Sequence, residues 1–182
     1  MKYTSWDNRR KINGDMHVDL LNDSGDVIAT TPVDFQEEDT TANVHGTTWS
    51  VRRTDTTVEA KTDTGKKFVC DAGEKKFGRS KLLTITADSQ IRAINEAKSD
   101  WVYVTADEAE DKLGQFSGGN NGVRRSITEF EPGNTLTEDD KIFLSFVTRQ
   151  QLEAKMSSGM WVLTLSLLIL APILVLLGIG FA

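Results

Sequence analysis

Cys70, His17 and His45 are the side chains of this chain best suited to nucleophilic or base chemistry. Such catalysis needs a cysteine or serine beside a positioned base, and a Cys70/His45 pair is one arrangement that would meet the need. The competing reading is structural. Cys70 ends the alternating run Phe68-Val69-Cys70 beside a turn, where a lone cysteine serves as a small core residue. Two histidines and one cysteine without close spacing form no zinc or haem site, so neither a metal nor a cofactor is expected.

Other clusters have a ligand reading and a plain one. Asp107-Glu108-Ala109-Glu110-Asp111 could hold a hard cation, but its spacing is not that of a calcium hand, and a solvated acidic turn is expected. Gly118-Gly119-Asn120-Asn121-Gly122 lacks the Gly-Lys-Ser/Thr ending of a phosphate loop and reads as a hairpin tip. Lys75, Lys76, Arg79 and Lys81, and separately Arg124 and Arg125, are candidate contacts for lipid headgroups or a partner, with solvated hairpin ends as the alternative. Trp6, in a polar segment, is a candidate partner contact; equally, it folds back onto its own domain.

Ahead of residue 135, short β-prone runs alternate with Asp/Asn/Gly turns at near-regular intervals, the pattern of an all-β sandwich or barrel. Met16 to Leu21 and Asp26 to Thr31 flank the turn Asn22-Asp23-Ser24-Gly25. Further runs are Val44-His45, Thr48 to Arg52, Thr57 to Thr62, Lys67 to Asp71, Lys81 to Thr86, Gln90 to Glu96, Trp101 to Val104, Lys112 to Ser117 and Val123 to Phe130. With Lys2 to Trp6 at the start, they make roughly a dozen strands. After Pro132-Gly133 the pattern changes. Thr135 with Glu138 fits a capping box, and Glu138, Asp139 and Asp140 crowd the first turn of a helix reaching Met156.

No charge follows Lys155, and every residue from Met160 is apolar or small. A helix from Met160 to Phe181 is about 33 Å long, enough to cross a hydrocarbon core of about 30 Å once. Leu165, Leu168, Leu176 and Gly180 lie along it, Trp161 sits near its start where an interfacial indole belongs, and Pro172 kinks it. Arg149 and Lys155 form the juxtamembrane basic flank, which places the N-terminal domain in the cytoplasm. Residues 1 to 30 contain no apolar core resembling a signal peptide, so the expected localisation is a cell membrane, single-pass and tail-anchored. The alternative is a helix wholly buried in a soluble core. Residues 137–181 form either one bent helix or two pieces.

The expected organisation is a β-barrel domain over 1–134, a barrel-associated helix over 135–157 and an anchor over 158–182. The 182 residues carry 21 Lys+Arg against 27 Asp+Glu, a net charge of −6 that repels nucleic acid. A single cysteine agrees with a reducing compartment.

This layout, together with turns such as Leu20 to Gly25 and Ala60 to Gly65, resembles the tubby-like superfamily, which includes phospholipid scramblases and LURP-one-related proteins. The resemblance implies a twelve-stranded antiparallel barrel closed around a C-terminal helix, here Thr137 to Met156, followed by the transmembrane helix as an addition. Scramblase calcium binding is not carried over, because Glu138-Asp139-Asp140 is spaced as a helix first turn. Without a catalytic constellation, the expected function is that of a non-enzymatic accessory subunit of a larger bacterial membrane complex, with a respiratory supercomplex as its home. Its partners would be an integral membrane complex and the bilayer. Scramblase-like lipid binding or handling is the alternative.

Overall fold

The computed structural model describes residues 1–33, 39–118 and 125–156. Strands β1 (Tyr3–Trp6), β2 (Arg10–Ile12), β3 (Asp15–Asn22), β4 (Val27–Pro32), β5 (Thr40–Val44), β6 (Thr47–Arg53) and β7 (Thr57–Lys61) fill the first part. Strands β8 (Lys67–Asp71), β9 (Leu82–Thr86), β10 (Gln90–Ala97), β11 (Asp100–Thr105), β12 (Lys112–Ser117) and β13 (Ile127–Phe130) follow, and helix α1 occupies 138–156.

Period-two alternation builds the wall, since successive side chains point to opposite faces of a strand. In β6, Trp49 and Val51 are buried while Thr48, Ser50 and Arg52 are exposed; in β9, Leu83 and Ile85 are buried between Leu82, Thr84 and Thr86. From β3 to β13 each strand pairs antiparallel with the next in sequence, and β1 lies between β13 and β3, closing the sheet on itself. The β1 and β2 segments run end to end along the same edge of β3, opposite Leu20–Asn22 and Asp15–His17 respectively. The thirteen strands therefore make a closed barrel of twelve staves.

Helix α1 fills this barrel. Every residue from 142 to 149 is buried, more than two turns with no face left to water. Phe143 stacks on Phe68 with centroids 5.2 Å apart, and Phe68 on Trp49 at 5.3 Å. Polar contacts fix the helix in register: Thr4 Oγ1 and Ser145 Oγ lie 2.6 Å apart, Tyr103 Oη donates to the Leu144 carbonyl at 2.9 Å, and Thr128 Oγ1 donates to Thr148 Oγ1 at 2.9 Å. Each pairing satisfies a buried polar group that would otherwise cost free energy.

Three local expectations change. The cap is Thr137 with Asp140, two residues on from Thr135 with Glu138. Asp140 N donates to Thr137 Oγ1 at 3.2 Å, and Thr137 N donates to Asp140 Oδ2 at 2.9 Å, the reciprocal pair of a capping box. His45 belongs to a turn, not a strand: with φ of 48° at His45 and 81° at Gly46, the chain reverses between Val44 and Thr47 in the left-handed geometry that suits tight hairpins. An unanticipated strand, β2, joins β3 through Asn13-Gly14, whose φ values are 51° and 101°.

Among the described residues no helix is long and apolar enough to cross a membrane. The expected anchor, with Trp161, Leu165, Leu168, Pro172, Leu176 and Gly180, lies outside the described residues, as do Arg124 and most of the Gly118 to Gly122 loop.

Candidate functional site

The filled lumen moves the search for a site to the ends and outer wall of the barrel. Cys70 is fully buried on the inner face of β8, paired with Val58 and Ile85. Burial pushes its thiol well above the ordinary cysteine range, and neighbouring Asp71 adds to the shift, so the reactive thiolate is suppressed. His45 sits on an exposed turn at the end of the barrel where α1 begins, with Nε2 3.3 Å from Glu138 Oε1. His17 Nδ1 lies 3.2 Å from the Asp15 carbonyl. The structure therefore leaves Cys70 without either histidine as an adjacent base.

The acidic turn after β11 is organised by its own backbone. Asp107 Oδ1 accepts from Thr105 Oγ1 at 2.6 Å and from Ala109 N at 3.2 Å, and Arg92 reaches Glu110 at 2.9 Å. The Thr105 hydrogen bond is the main cause holding the Asp107 carboxyl below its ordinary range. Among the described residues, no group of three or more His, Cys, Asp or Glu is arranged to hold a metal ion.

Trp6, expected either as a partner contact or folded back onto its own domain, and Arg149, expected in the juxtamembrane basic flank, both lie inside the barrel. Trp6 is only 2% exposed: its indole Nε1 donates to the Ser145 carbonyl at 3.2 Å, and its ring meets Phe146 edge-on at 5.4 Å. The alternation Tyr3-Thr4-Ser5-Trp6 turns Thr4 and Trp6 inward, because β1 is a barrel stave and not a free arm. Arg149 is 4% exposed, with its guanidinium 4.8 Å above the Trp6 ring and Nε donating to Glu153 at 2.8 Å. It belongs to the plug and not to an exposed basic flank. Arg53 reaches the same Glu153 at 3.2 Å, and burial lowers its pKa to about 10, which leaves it charged at neutral pH.

The remaining described cations among the predicted residues, Lys75, Lys76, Arg79, Lys81, Arg125 and Lys155, all lie toward one end of the barrel. Helix α1 enters at the end carrying the turns β3–β4, β5–β6, β7–β8, β9–β10 and β11–β12, and reaches residue 156 at the opposite, exit end. At the exit end, three connections adjacent around the rim carry exposed cations, Arg125 before β13, Lys98 between β10 and β11, and Lys75, Lys76, Arg79 and Lys81 between β8 and β9, interleaved with exposed Glu74, Glu96 and Asp100. Lys76 also pairs with Asp55 at 2.5 Å. Lys155 is partly buried, and desolvation, joined by the charge of Lys81, lowers its pKa.

The entry end is acidic. Asp23, Asp26, Asp63, Asp88, Asp107 and Glu108 project from its turns, offset in part by Lys66, which reaches Asp88 at 2.6 Å and Asp139 at 3.6 Å. The net charge of −6 is thus unevenly spread, a feature that composition alone conceals. Carboxylates also occur toward the exit end, where a recess of about 390 Å³ at β10–β13 is lined by Glu96, Asp100, Val102, Gln115, Ser117 and Glu129, and Lys155 feels the charge of Asp100.

No family model, no curated protein and no solved structure matches the chain.

Proposed function

We propose that this chain is a non-enzymatic, membrane-tethered interaction module, an accessory subunit of a larger bacterial membrane complex, with a respiratory supercomplex as its home. The observation that carries the reading is the filled lumen. Large side chains such as Trp49, Phe68, Tyr103 and Phe143 meet inside the barrel, so its interior is a hydrophobic core and not a chamber for substrate. A solid barrel acts through its outer surface. In this reading the apolar segment Met160 to Phe181 anchors the chain by a single pass, the barrel stands on the cytoplasmic side, and the tubby-like resemblance is one of layout.

Solubilising native membranes in mild detergent and purifying the tagged chain is expected to bring a membrane complex with it in fixed proportion. Recovery as a lone monomer under conditions that preserve known complexes refutes the accessory role. Alkaline extraction checks the tether separately: the full chain is expected to stay with the membrane, and a version lacking 157–182 to be released.

Lipid handling is the second reading, supported by the exposed cations at the exit end. The packed lumen speaks for surface contact over carriage of an acyl chain inside the barrel.

A further inference from the structure

We infer that the outer wall over β9–β13 docks on a second copy of this chain, in a two-fold pairing whose axis runs along the wall between β10 and β11. The inference goes beyond the accessory reading and does not depend on it.

Strand alternation turns Leu82, Ile94 and Val102 outward, since Leu83, Ala93 and Tyr103 beside them are buried in the core. The register sets Leu82 opposite Ile94 and Ile94 opposite Val102, and the same row continues through Gln115 to Glu129. Opposed side chains on one face lie about 5 Å apart, so the three apolar residues make one patch. Its relief is uneven. Leu82 protrudes at 47% exposure, Ile94 is partly buried, and Val102 is 9% exposed at the edge of the recess that also contains Gln115 and Glu129.

A knob on β9 therefore stands beside a hollow over β12. Three strand spacings of about 4.8 Å separate them, about 14 Å in all. A two-fold axis midway, between Ile94 and Val102, carries the Leu82 of each copy to the recess of the other. A two-fold contact of this kind must be self-complementary, each patch meeting its mate on the second copy.

Charge has the same layout. Exposed Arg79 and Lys81 adjoin Leu82, whereas exposed Asp100 and Glu129 rim the recess. Neutral groups are the hydrogen-bond partners here: Lys81 Nζ donates to Asn95 Oδ1 at 2.5 Å, Glu129 accepts from Gln115 Nε2 at 2.6 Å, and Asp100 accepts from Ser117 Oγ at 2.5 Å. Glu74 lies among the cations and Lys98 near the acids, but the β8–β9 connection keeps an excess of Lys and Arg and the recess an excess of carboxylates. The axis that seats Leu82 also brings Arg79 and Lys81 toward Glu129 of the second copy. An apolar centre with a charged rim is the anatomy of a protein contact. A partner surface of one sign would match only half of this wall.

The full chain in mild detergent is measured by light scattering across a dilution series, with the detergent mass subtracted. A dimer that dissociates on dilution is expected. Leu82→Asp is expected to raise its dissociation constant at least about tenfold, and Val27→Asp, at a 55% exposed site on β4, to leave it unchanged. Two charge variants complete the test, Arg79→Glu with Lys81→Glu and Asp100→Lys with Glu129→Lys. Each alone is expected to be monomeric and an equimolar mixture to recover the dimer, because the two walls then carry opposite charge. Near-ultraviolet circular dichroism checks that each variant keeps the fold.

A monomer at every concentration, a dimer whose dissociation constant Leu82→Asp leaves unchanged, or a mixture that stays monomeric overturns the pairing. If the pure chain is monomeric and Leu82→Asp instead removes a co-purifying protein, the face belongs to that protein and the pairing is likewise overturned. Failure to co-purify with a membrane complex refutes the accessory role alone and leaves this result unaffected.

Discussion

The substitution Phe143→Ala tests the central architectural feature, a helix enclosed by the barrel. Phe143 is fully buried and stacks on Phe68, with ring centroids 5.2 Å apart. A buried aromatic side chain removes about 150 Å² or more from water, and at about 25 cal/mol per Å² its transfer is worth roughly 4 kcal/mol. The alanine retains a small part of that, whereas the cavity left behind adds a penalty, so the expected loss is about 3–5 kcal/mol. Against a total stability of about 5–15 kcal/mol, a loss of this size is readily measured. The assay is denaturant unfolding of the full chain in mild detergent, followed by near-ultraviolet circular dichroism. Met156→Ala, at a 52% exposed site, serves as a control and is expected to change stability by less than about 0.5 kcal/mol. A double-mutant cycle with Phe68→Ala is expected to show a coupling of about 0.5–1.5 kcal/mol from the stacked pair. A Phe143→Ala loss below about 1 kcal/mol, or a coupling of zero, refutes enclosure of the helix.

Thr137→Ala is expected to cost about 1 kcal/mol in the same unfolding assay and Thr135→Ala less than about 0.5 kcal/mol, the order that separates the observed cap from the one two residues earlier. The Cys70 thiol is expected to resist maleimide in the native chain and to react on unfolding; prompt native labelling would contradict its burial. Burial acts to raise the Asp19 pKa, but hydrogen bonds from Arg10 and Thr30 together with the charge of Arg10 outweigh it and leave the value lowered. The folded chain thus binds this proton more weakly than the unfolded one, so the contribution of Asp19 is complete above the ordinary aspartate range near pH 4 and is lost as pH falls through the lower, folded value. Wild type and Asp19→Asn, compared by acid titration of stability, are expected to converge as the acid limit is approached; a constant gap rules the linkage out.

Alternation made most of the barrel legible. Runs such as Leu83-Thr84-Ile85 and Ile91-Arg92-Ala93 have one apolar face in the sequence and one buried face in the fold. Strand β2 was hidden because Arg10-Lys11-Ile12 is short and polar, although the following Asn13-Gly14 is a strong hairpin signal. Trp6 looked isolated because its neighbours in sequence are polar, whereas its contacts, Ser145 and Phe146, come from the far end of the chain. Arg149 showed a local signal in its i,i+4 spacing to Glu153, but burial depends on the barrel around it. Two overlapping capping templates preceded α1. Asp140 also accepts from the Asp88 backbone N–H at 3.3 Å, a tertiary contact that one-dimensional spacing does not contain.

The way α1 is held connects the core with the proposed surface. An apolar helix in an apolar tube could slide or rotate at modest cost, but this one carries Ser145 and Thr148 to meet Thr4, Thr128 and Tyr103. A shift of one turn, about 5.4 Å, would break these pairings and leave their groups buried without partners, at about 1–3 kcal/mol for each one lost. The point on the rim where Met156 emerges is therefore set by the interior. Lys155 feels the charges of both Lys81 and Asp100, so that point lies toward the β9 and β11 side of the rim, where both signs of charge meet. In the proposed tethered reading, a tether leaving there would turn the exit end toward the membrane and the acidic turns away from it. In that same reading the entry end, with Asp88, Asp107 and Glu108 exposed, is the end left to a protein partner.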